Sequence, residues 1–281
     1  MSFIDRIEEC NVSGLSRYRP FRVDGTELGA VADDFAERLS EFTDVFRVSA
    51  DAVELAQGLD GFAERTGAVD RVLRELAARG AVPDWRGEAY PVGTSFTGPA
   101  LFNMERAAVA LFGIEAYGVH LNGVVRGETG LHMWIGRRSL DKPTGPGKLD
   151  QMVAGGQPAG ISLLDNLIKE CAEEASIPPG LAALAVPVGE VSYCTERPEG
   201  LRRDVLFLYD LEVPADFTPV NTDGETAEFH LWPMARVIET VRDTENFKFN
   251  CSLVVIDFLI RHGFIEPGHP EYEALRQGLR R

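Results

Sequence analysis

The segment Lys169-Glu170-Cys171-Ala172-Glu173-Glu174, introduced by Gly155-Gly156-Gln157-Pro158-Ala159-Gly160, has a spacing that can carry chemistry. Glu170, Glu173 and Glu174 fall at i, i+3 and i+4, and a helix of about 3.6 residues per turn puts all three on one side. Like charges that close repel, so a helix gains no stability by gathering them. A divalent cation turns the repulsion into attraction, and magnesium in particular takes oxygen ligands and brings phosphate oxygens with it. The residues point to magnesium-assisted chemistry on a phosphorylated substrate, with manganese a substitute ion.

Local signals support the helix. Ser162, with Asp165 three residues on, resembles a capping box in which Asp stands where Glu or Gln is usual. Leu164, Leu167, Ile168, Cys171 and Ala175 recur at helical spacing and offer a face to bury. Pro178-Pro179 forbids continuation, so the pattern predicts a helix over about 163–176. The preceding glycines permit a tight loop and close approach of backbone to a ligand. A solvated acidic face is the competing interpretation, and the glycine loop, cap and stop together weigh against it.

The stretch resembles the Nudix signature Gx5Ex7REUxEExGU, with Gly155 as its first glycine, Lys169-Glu170 in the Arg-Glu place and Glu173-Glu174 as the paired acids. Ile177 matches the final apolar position. Ile161, Lys169 and Ser176 depart from the pattern, replacing a glutamate, an arginine and a glycine. Lys169 can still pair with Glu173 at i+4, but without the planar fork that grips a carboxylate bidentately. A narrower resemblance, to the thiamine-diphosphate-related Nudix branch, runs through Pro146-Gly147-Lys148-Leu149-Asp150-Gln151-Met152-Val153-Ala154-Gly155-Gly156 and Asn166-Leu167-Ile168-Lys169-Glu170. That branch carries a preceding domain of unassigned role, which Asp84-Trp85-Arg86-Gly87-Glu88-Ala89-Tyr90 and Tyr117-Gly118-Val119-His120-Leu121-Asn122-Gly123 resemble. The resemblance implies a Nudix αβα sandwich with a mixed sheet behind a smaller α/β domain, hence residues 1–115 and 116–281. It also implies hydrolysis of thiamine diphosphate or its oxidised or damaged analogues to the monophosphate. A homodimer is compatible with it.

Composition bounds the alternatives. A chain of 281 residues suits two modest domains, each with its own core. The net charge of −16 opposes nucleic-acid and anionic-membrane partners. An anionic diphosphate must therefore find local positive charge. Cys10, Cys171, Cys194 and Cys251 show no C-x-x-C pairing, so neither a zinc site nor a disulfide framework is indicated. Cys171 falls on the apolar side of the acidic helix as a core filler. No apolar run is long enough for a signal peptide or a membrane span, which makes a cytoplasmic location the expectation.

Residues 28–42 and 60–79 read as amphipathic helices, the second burying Val69, Val72, Leu73 and Leu76. Phe46-Arg47-Val48 and Ala89-Tyr90-Pro91-Val92 read as short strands, and Asn103 to about Phe112 as a helix. From Val119 alternation takes over, with Gly127-Glu128-Thr129-Gly130 turning the chain into Leu131–Ile135. Residues 186–191 and 204–209 flank a Pro198-Glu199-Gly200 turn, Glu228–Trp232 forms a further strand, and Ser252–Arg261 a late apolar helix.

The expected reaction is attack of water on a diphosphate phosphorus, which needs positioning and charge neutralisation more than covalent help. Glu170, Glu173 and Glu174 are the expected ligands, one of them also taking the water's proton. Asp223, Glu225 and Glu228 are candidates for a distal fourth acid, Glu225 the preferred one. Arg137, Arg138, Lys142 and Lys148 could neutralise phosphate, with Lys148 ranked first and Arg137, Gly155 and Gly156 also assigned to substrate. Trp85, Tyr90 and Trp134 could stack on a flat cation. His120 and His132 read as structural. A nucleotide or nucleotide-sugar pyrophosphohydrolase is the main rival; a diphosphate isomerase lacks a cysteine aimed at the pocket, and a regulatory module would have lost the acids.

Overall fold

The computed structural model describes residues 2–11, 15–142 and 144–280. Helix α1 (Phe3–Glu9) is followed by strands β1 (Tyr18–Val23) and β2 (Thr26–Ala32), helix α2 (Asp33–Leu39), and strands β3 (Phe46–Val48) and β4 (Val53–Leu55). Helix α3 (Phe62–Ala78) and the ribbon β5 (Ala89–Val92)–β6 (Phe102–Glu105) follow. The four strands β1–β4 form a sheet in the order β2-β1-β4-β3, whose apolar side shares a core with α2 and α3. Val69, Val72, Leu73 and Leu76 of α3 are buried there, as their spacing predicts.

Two of the predicted helices give way in part to strands. The span 28–42 opens as β2, and only α2 is helical. Asp24 and Gly25 both adopt positive φ, the two-residue turn that matches the twist of paired strands, and this turn sets β2 antiparallel to β1. Asn103 belongs to β6, where Met104 pairs with Tyr90, and only Arg106–Ala108 makes a short 3₁₀ turn. Strand pairing takes Phe102–Glu105, and Ala107 and Ala108 fall in the short turn that follows.

The second half is built on β7 (Glu115–Gly127) and β8 (Gly130–Arg138), joined by the turn their glycines mark. Next come β9 (Leu149–Asp150), β10 (Val153–Gly156), α4 (Leu163–Ala175) and the short α5 (Pro179–Ala182). The long hairpin β11 (Val186–Arg197)–β12 (Gly200–Glu212), strand β13 (Thr226–Pro233) and helices α6 (Met234–Asp243), α7 (Phe249–Arg261) and α8 (Tyr272–Gly278) complete the chain. The sheet order is β11-β12-β7-β8-β13, with β10 on β7 and β9 on β8. β12 runs parallel to β7 and the other pairs are antiparallel, so the sheet is mixed.

Period-two alternation divides this sheet between two cores. Val119, Leu121 and Val125 of β7 pack with Leu167, Cys171 and Ala175 of α4. Val124, with Leu206 and Leu208 of β12, packs on the other face against α6, α7 and α8. The result is an αβα sandwich. Helix α1, although it opens the chain, buries Phe3 and Ile7 in this second core. Within α4 the buried stripe runs through Leu167, Cys171 and Ala175, while Leu164, expected inside, is 44% exposed. No helix among the described residues is long and apolar enough to cross a membrane.

Residues 110–113 tie the two sheets together. The Phe112 carbonyl accepts from Ala30 N at 2.9 Å, and the Ala110 carbonyl accepts from Leu201 N at 2.9 Å. Gly29 and Gly200 make this approach possible, since a Cβ on either would sit 2.3 Å from one of those oxygens. Gly200 also has φ +128°, which side-chain-bearing residues rarely adopt. Gly200→Ala is expected to lower stability by about 2–3 kcal/mol through strain and overpacking. Gly268→Ala, in open space, should change it by less than about 0.5 kcal/mol. Equal denaturant midpoints for the two variants would show that the tie does not bear on stability.

Candidate active site

Strand β10 lies along the middle of β7, with Gly155 opposite Val119 and Gly156 opposite Gly118. Consecutive residues of a strand face opposite sides, and here both sides are occupied. A Cβ on Gly155 would lie 2.3 Å from Cδ of Glu170; one on Gly156 would lie 1.8 Å from the Tyr90 hydroxyl and 3.3 Å from the guanidinium carbon of Arg106. The two glycines let a carboxylate close in from α4 and a phenol and a guanidinium from the β5–β6 region.

Helix α4 is fixed at both ends. Ser162 Oγ accepts from Asp165 N at 3.1 Å and donates to Asp165 Oδ2 at 2.6 Å. Asp165, one methylene shorter than Glu, thus turns to the cap hydroxyl. At the other end Ser176 adopts the left-handed conformation at φ 54°, the position glycine commonly takes. Its hydroxyl donates to the Val220 carbonyl at 2.8 Å. The following loop is stitched to the same helix end: Val220 N donates to Ala175 O, and Thr222 Oγ1 donates to Glu173 O at 2.6 Å. Asn221 Oδ1 then accepts from Asp223 N and Gly224 N, and Asp223 Oδ1 from Glu225 N, a nested turn that presents both acids.

This stitching brings distant acids to the helix. Ligand-capable oxygens of Glu174, Asp223 and Glu225 lie within 4.8 Å of one another. Glu174 is buried and accepts from Ala154 N at 2.8 Å. Burial, reinforced by Glu170, Asp150 and Glu225, holds its carboxyl well above the usual range despite that bond. Burial likewise raises Glu170, against the opposing charge of Lys169. Glu225 moves the other way: burial would raise it, but the hydrogen bond and charge of Lys142 prevail. Glu173 pairs with Lys169 at 2.8 Å. An all-oxygen donor set, part of it buried among like charges, fits a hard divalent cation.

These groups line a cleft of about 330 Å³ together with Tyr90, Arg106, His120, Arg138, Lys142, Lys169, Arg202 and Lys248. The predicted Glu170, Glu173, Glu174, Glu225, Gly155 and Gly156 all line it. Arg137 and Lys148 do not. Arg137 pairs across the strands with Glu228 at 2.7 Å and donates to Gly147 O, whereas its neighbour Arg138, one strand position on, is in the cleft wall. The Lys148 ammonium donates to the Glu245 carbonyl. Glu228 is taken by Arg137 and His230, so it stands apart from the acid cluster. Asp223, not preferred from sequence, joins it.

Trp134 belongs to the core beside α4, and Trp85 packs against Arg74, so of the three aromatic candidates Tyr90 alone reaches the cleft. Cys171 is buried and its thiol pushed up to about 12 by that burial. All four cysteines are free. A second convergent group, His120, Asp150 and Cys251, is fully buried. Its carboxylate is already matched by Arg138 at 2.8 Å with Lys248 at 4.0 Å, and burial pulls His120 down to about 4, leaving it neutral. Sequence spacing gave no sign of Arg106, Arg202 or Lys248 as cleft residues.

Fold and cleft define an αβα sandwich with carboxylates gathered behind a glycine strand. The chain belongs to the Nudix hydrolase family. It is 46% identical over 282 residues to Nudix hydrolase 24, chloroplastic, and 45% identical over 290 residues to Nudix hydrolase 20, chloroplastic, both of Arabidopsis thaliana. Each match covers 99% of this chain and 77% of the relative. Residues 2–116 match a family described as a domain of unknown function (DUF4743). Among solved structures, a MutT/nudix family protein from Enterococcus faecalis aligns with TM-score 0.43 and 13% identity, covering 76% of this chain and 79% of that one. The NUDIX domain of Shewanella oneidensis NrtR, complexed with ADP ribose, aligns with TM-score 0.41 and 14% identity, covering 53% and 91%.

The raised carboxyl of Glu174 has a thermodynamic consequence. A group whose folded pKa lies above its ordinary value of 4.5 stabilises the fold fully below that value, and the contribution is lost as pH rises through the folded pKa. In metal-free protein Glu174→Gln, which keeps an acceptor for Ala154 N, is therefore expected to melt higher than wild type at about pH 7.5. Each 1 kcal/mol gained corresponds to about 2–4 °C. The gap should close near pH 4, and a variant that melts lower at neutral pH contradicts the assigned strain.

Proposed function

We propose that the protein is a magnesium-dependent diphosphate hydrolase acting on thiamine diphosphate or its oxidised or damaged analogues, with manganese able to substitute. The observation that carries the reading is the convergence of Glu174, Asp223 and Glu225 beside Glu170 and the Gly155–Gly156 strand. In this reading Glu174, Asp223 and Glu225 hold the metal, with Glu170 and Glu173 on the same side of the cleft. A bound divalent cation supplies charge neutralisation on phosphate oxygens and acidifies a coordinated water.

The chain's own residues do the rest. Water attacks the terminal phosphorus, the bond to the bridging oxygen breaks, and the monophosphate ester and phosphate depart. Glu170 is the acceptor of the water's proton: it lines the cleft against Gly155, burial raises its carboxyl, and among the described residues its carboxylate is engaged by Lys169 and by no backbone donor. Lys142 and Lys169, each now paired with a carboxylate of the cluster, neutralise the anion as it enters.

The thiamine end of the reading is supported by the resemblance set out above and by the rim of the cleft. Tyr90 and Tyr117, both largely buried, contribute ring edges to the lining, and Asp84 and Glu199 add negative charge. That charge suits a flat cationic ring.

Thiamine diphosphate, its oxidised analogues, ADP-ribose, NADH and nucleoside triphosphates should be compared at equal concentration with magnesium. Thiamine-type diphosphates are expected to turn over fastest, yielding the monophosphate and phosphate in equal amounts. Preference for ADP-ribose or NADH would instead assign a nucleotide pyrophosphohydrolase. Glu174→Gln should lower kcat by more than about 100-fold with the fold retained, and near-normal turnover in that variant removes the metal assignment.

A further inference from the structure

We propose that Arg106, seated beside Tyr90, is a substrate-binding residue that grips a diphosphate oxygen on the side of the glycine strand away from the carboxylates. The inference rests on reading the cleft as a diphosphate site, and it gives the first 116 residues a direct part in recognition.

The segment carrying Arg106 is built to hold it still. Glu105, buried, accepts from Arg86 N at 2.8 Å, Gly87 N at 3.1 Å and Ala107 N at 3.3 Å. Its carboxylate thus gathers the loop before β5 and the 3₁₀ turn after β6 around one point. Arg106 N donates to Glu88 O, and Ala159 N donates to Ala89 O at 2.8 Å, which fastens this wall directly to the glycine loop. Tyr90 is buried with its hydroxyl against Gly156, and the Arg106 guanidinium lies 5.6 Å from the centre of the Tyr90 ring.

Four of the cleft's other cations are committed more deeply, whereas Lys248 comes only within 4.0 Å of Asp150 and Arg86 has no side-chain partner among the described residues. Arg138 holds buried Asp150, and Arg202 is bound to Asp204 with Glu199 near. Lys142 and Lys169 hold carboxylates of the cluster itself. Arg106 has a single side-chain hydrogen bond among the described residues, Nη1 to Glu88 at 2.8 Å, with both side chains more than two-fifths exposed. An exposed pair of that kind is weak, whereas a guanidinium fork matches two phosphate oxygens at once. A diphosphate placed at the carboxylates and crossing Gly156 would therefore draw Arg106 from Glu88.

The probe is inorganic pyrophosphate, titrated calorimetrically into the full-length protein with manganese, beside kinetics on whichever diphosphate the wild type hydrolyses. Arg106→Ala is expected to weaken pyrophosphate binding about tenfold or more, with Arg106→Lys intermediate because it restores charge but not the fork. KM should rise by a similar factor while kcat stays within about threefold. Binding of manganese alone should be unchanged.

Glu88→Gln separates recognition from mere support of the wall. Freed of its partner, Arg106 should bind pyrophosphate as tightly as in wild type or tighter, whereas a purely structural pair would make both variants weaken alike. Pyrophosphate affinity within about twofold of wild type in a natively melting Arg106→Ala protein would overturn the proposal. So would parallel losses in the Arg106 and Glu88 variants. Loss of manganese binding and turnover belongs to Glu174→Gln, so the two readings fail separately.

Discussion

The repulsion among the carboxylates around Glu174 is the constraint on which the rest of the site depends. A buried acid flanked by other acids is unfavourable by itself, and the surrounding structure exists to hold it there. Ala154 N reaches its carboxylate, the missing side chain of Gly155 lets Glu170 come alongside, and the end of α4 is sewn to the loop bearing Asp223 and Glu225. Local instability of this kind is a common mark of functional sites, because the same groups become favourable once a cation arrives.

The balance of charge explains how so acidic a protein can receive an anion. With a net charge of −16 the chain has no long-range attraction to offer a diphosphate. The cleft compensates at short range, with cations on two sides of the glycine strand. Most are tethered to carboxylates, which keeps them in place and limits the desolvation each suffers when the site is empty.

Much of this was legible in the residue pattern, and the failures have identifiable causes. The acidic helix, its stop at Pro178, the hairpins after Val119 and the core face of α3 follow from short-range periodicity and turn residues. The acid cluster was half visible: i, i+3, i+4 spacing places Glu170, Glu173 and Glu174, but the nested turn at Asn221 that recruits Asp223 is a matter of backbone stitching between distant segments. Arg137 and Lys148 looked suitable by proximity in sequence to the glycine loop. A strand alternates its faces, and it is Arg138, not Arg137, that lines the cleft. Tyr90 was among the aromatic candidates, but Arg106 was out of reach because its position follows from β5–β6 pairing, where local propensity favours a helix.

Residues 110–113 add a historical dimension. The amino-acid pattern changes character near 113–118, as though two parts had been joined there, yet that linker is clasped by Gly29 on one side and Gly200 on the other. Pieces that meet so tightly, and that press Tyr90 onto Gly156 across the seam, must accept substitutions in concert. Exchanging either piece with a cousin's would transplant half of a fitted joint, and drift in one would be tolerated only as fast as the other could follow.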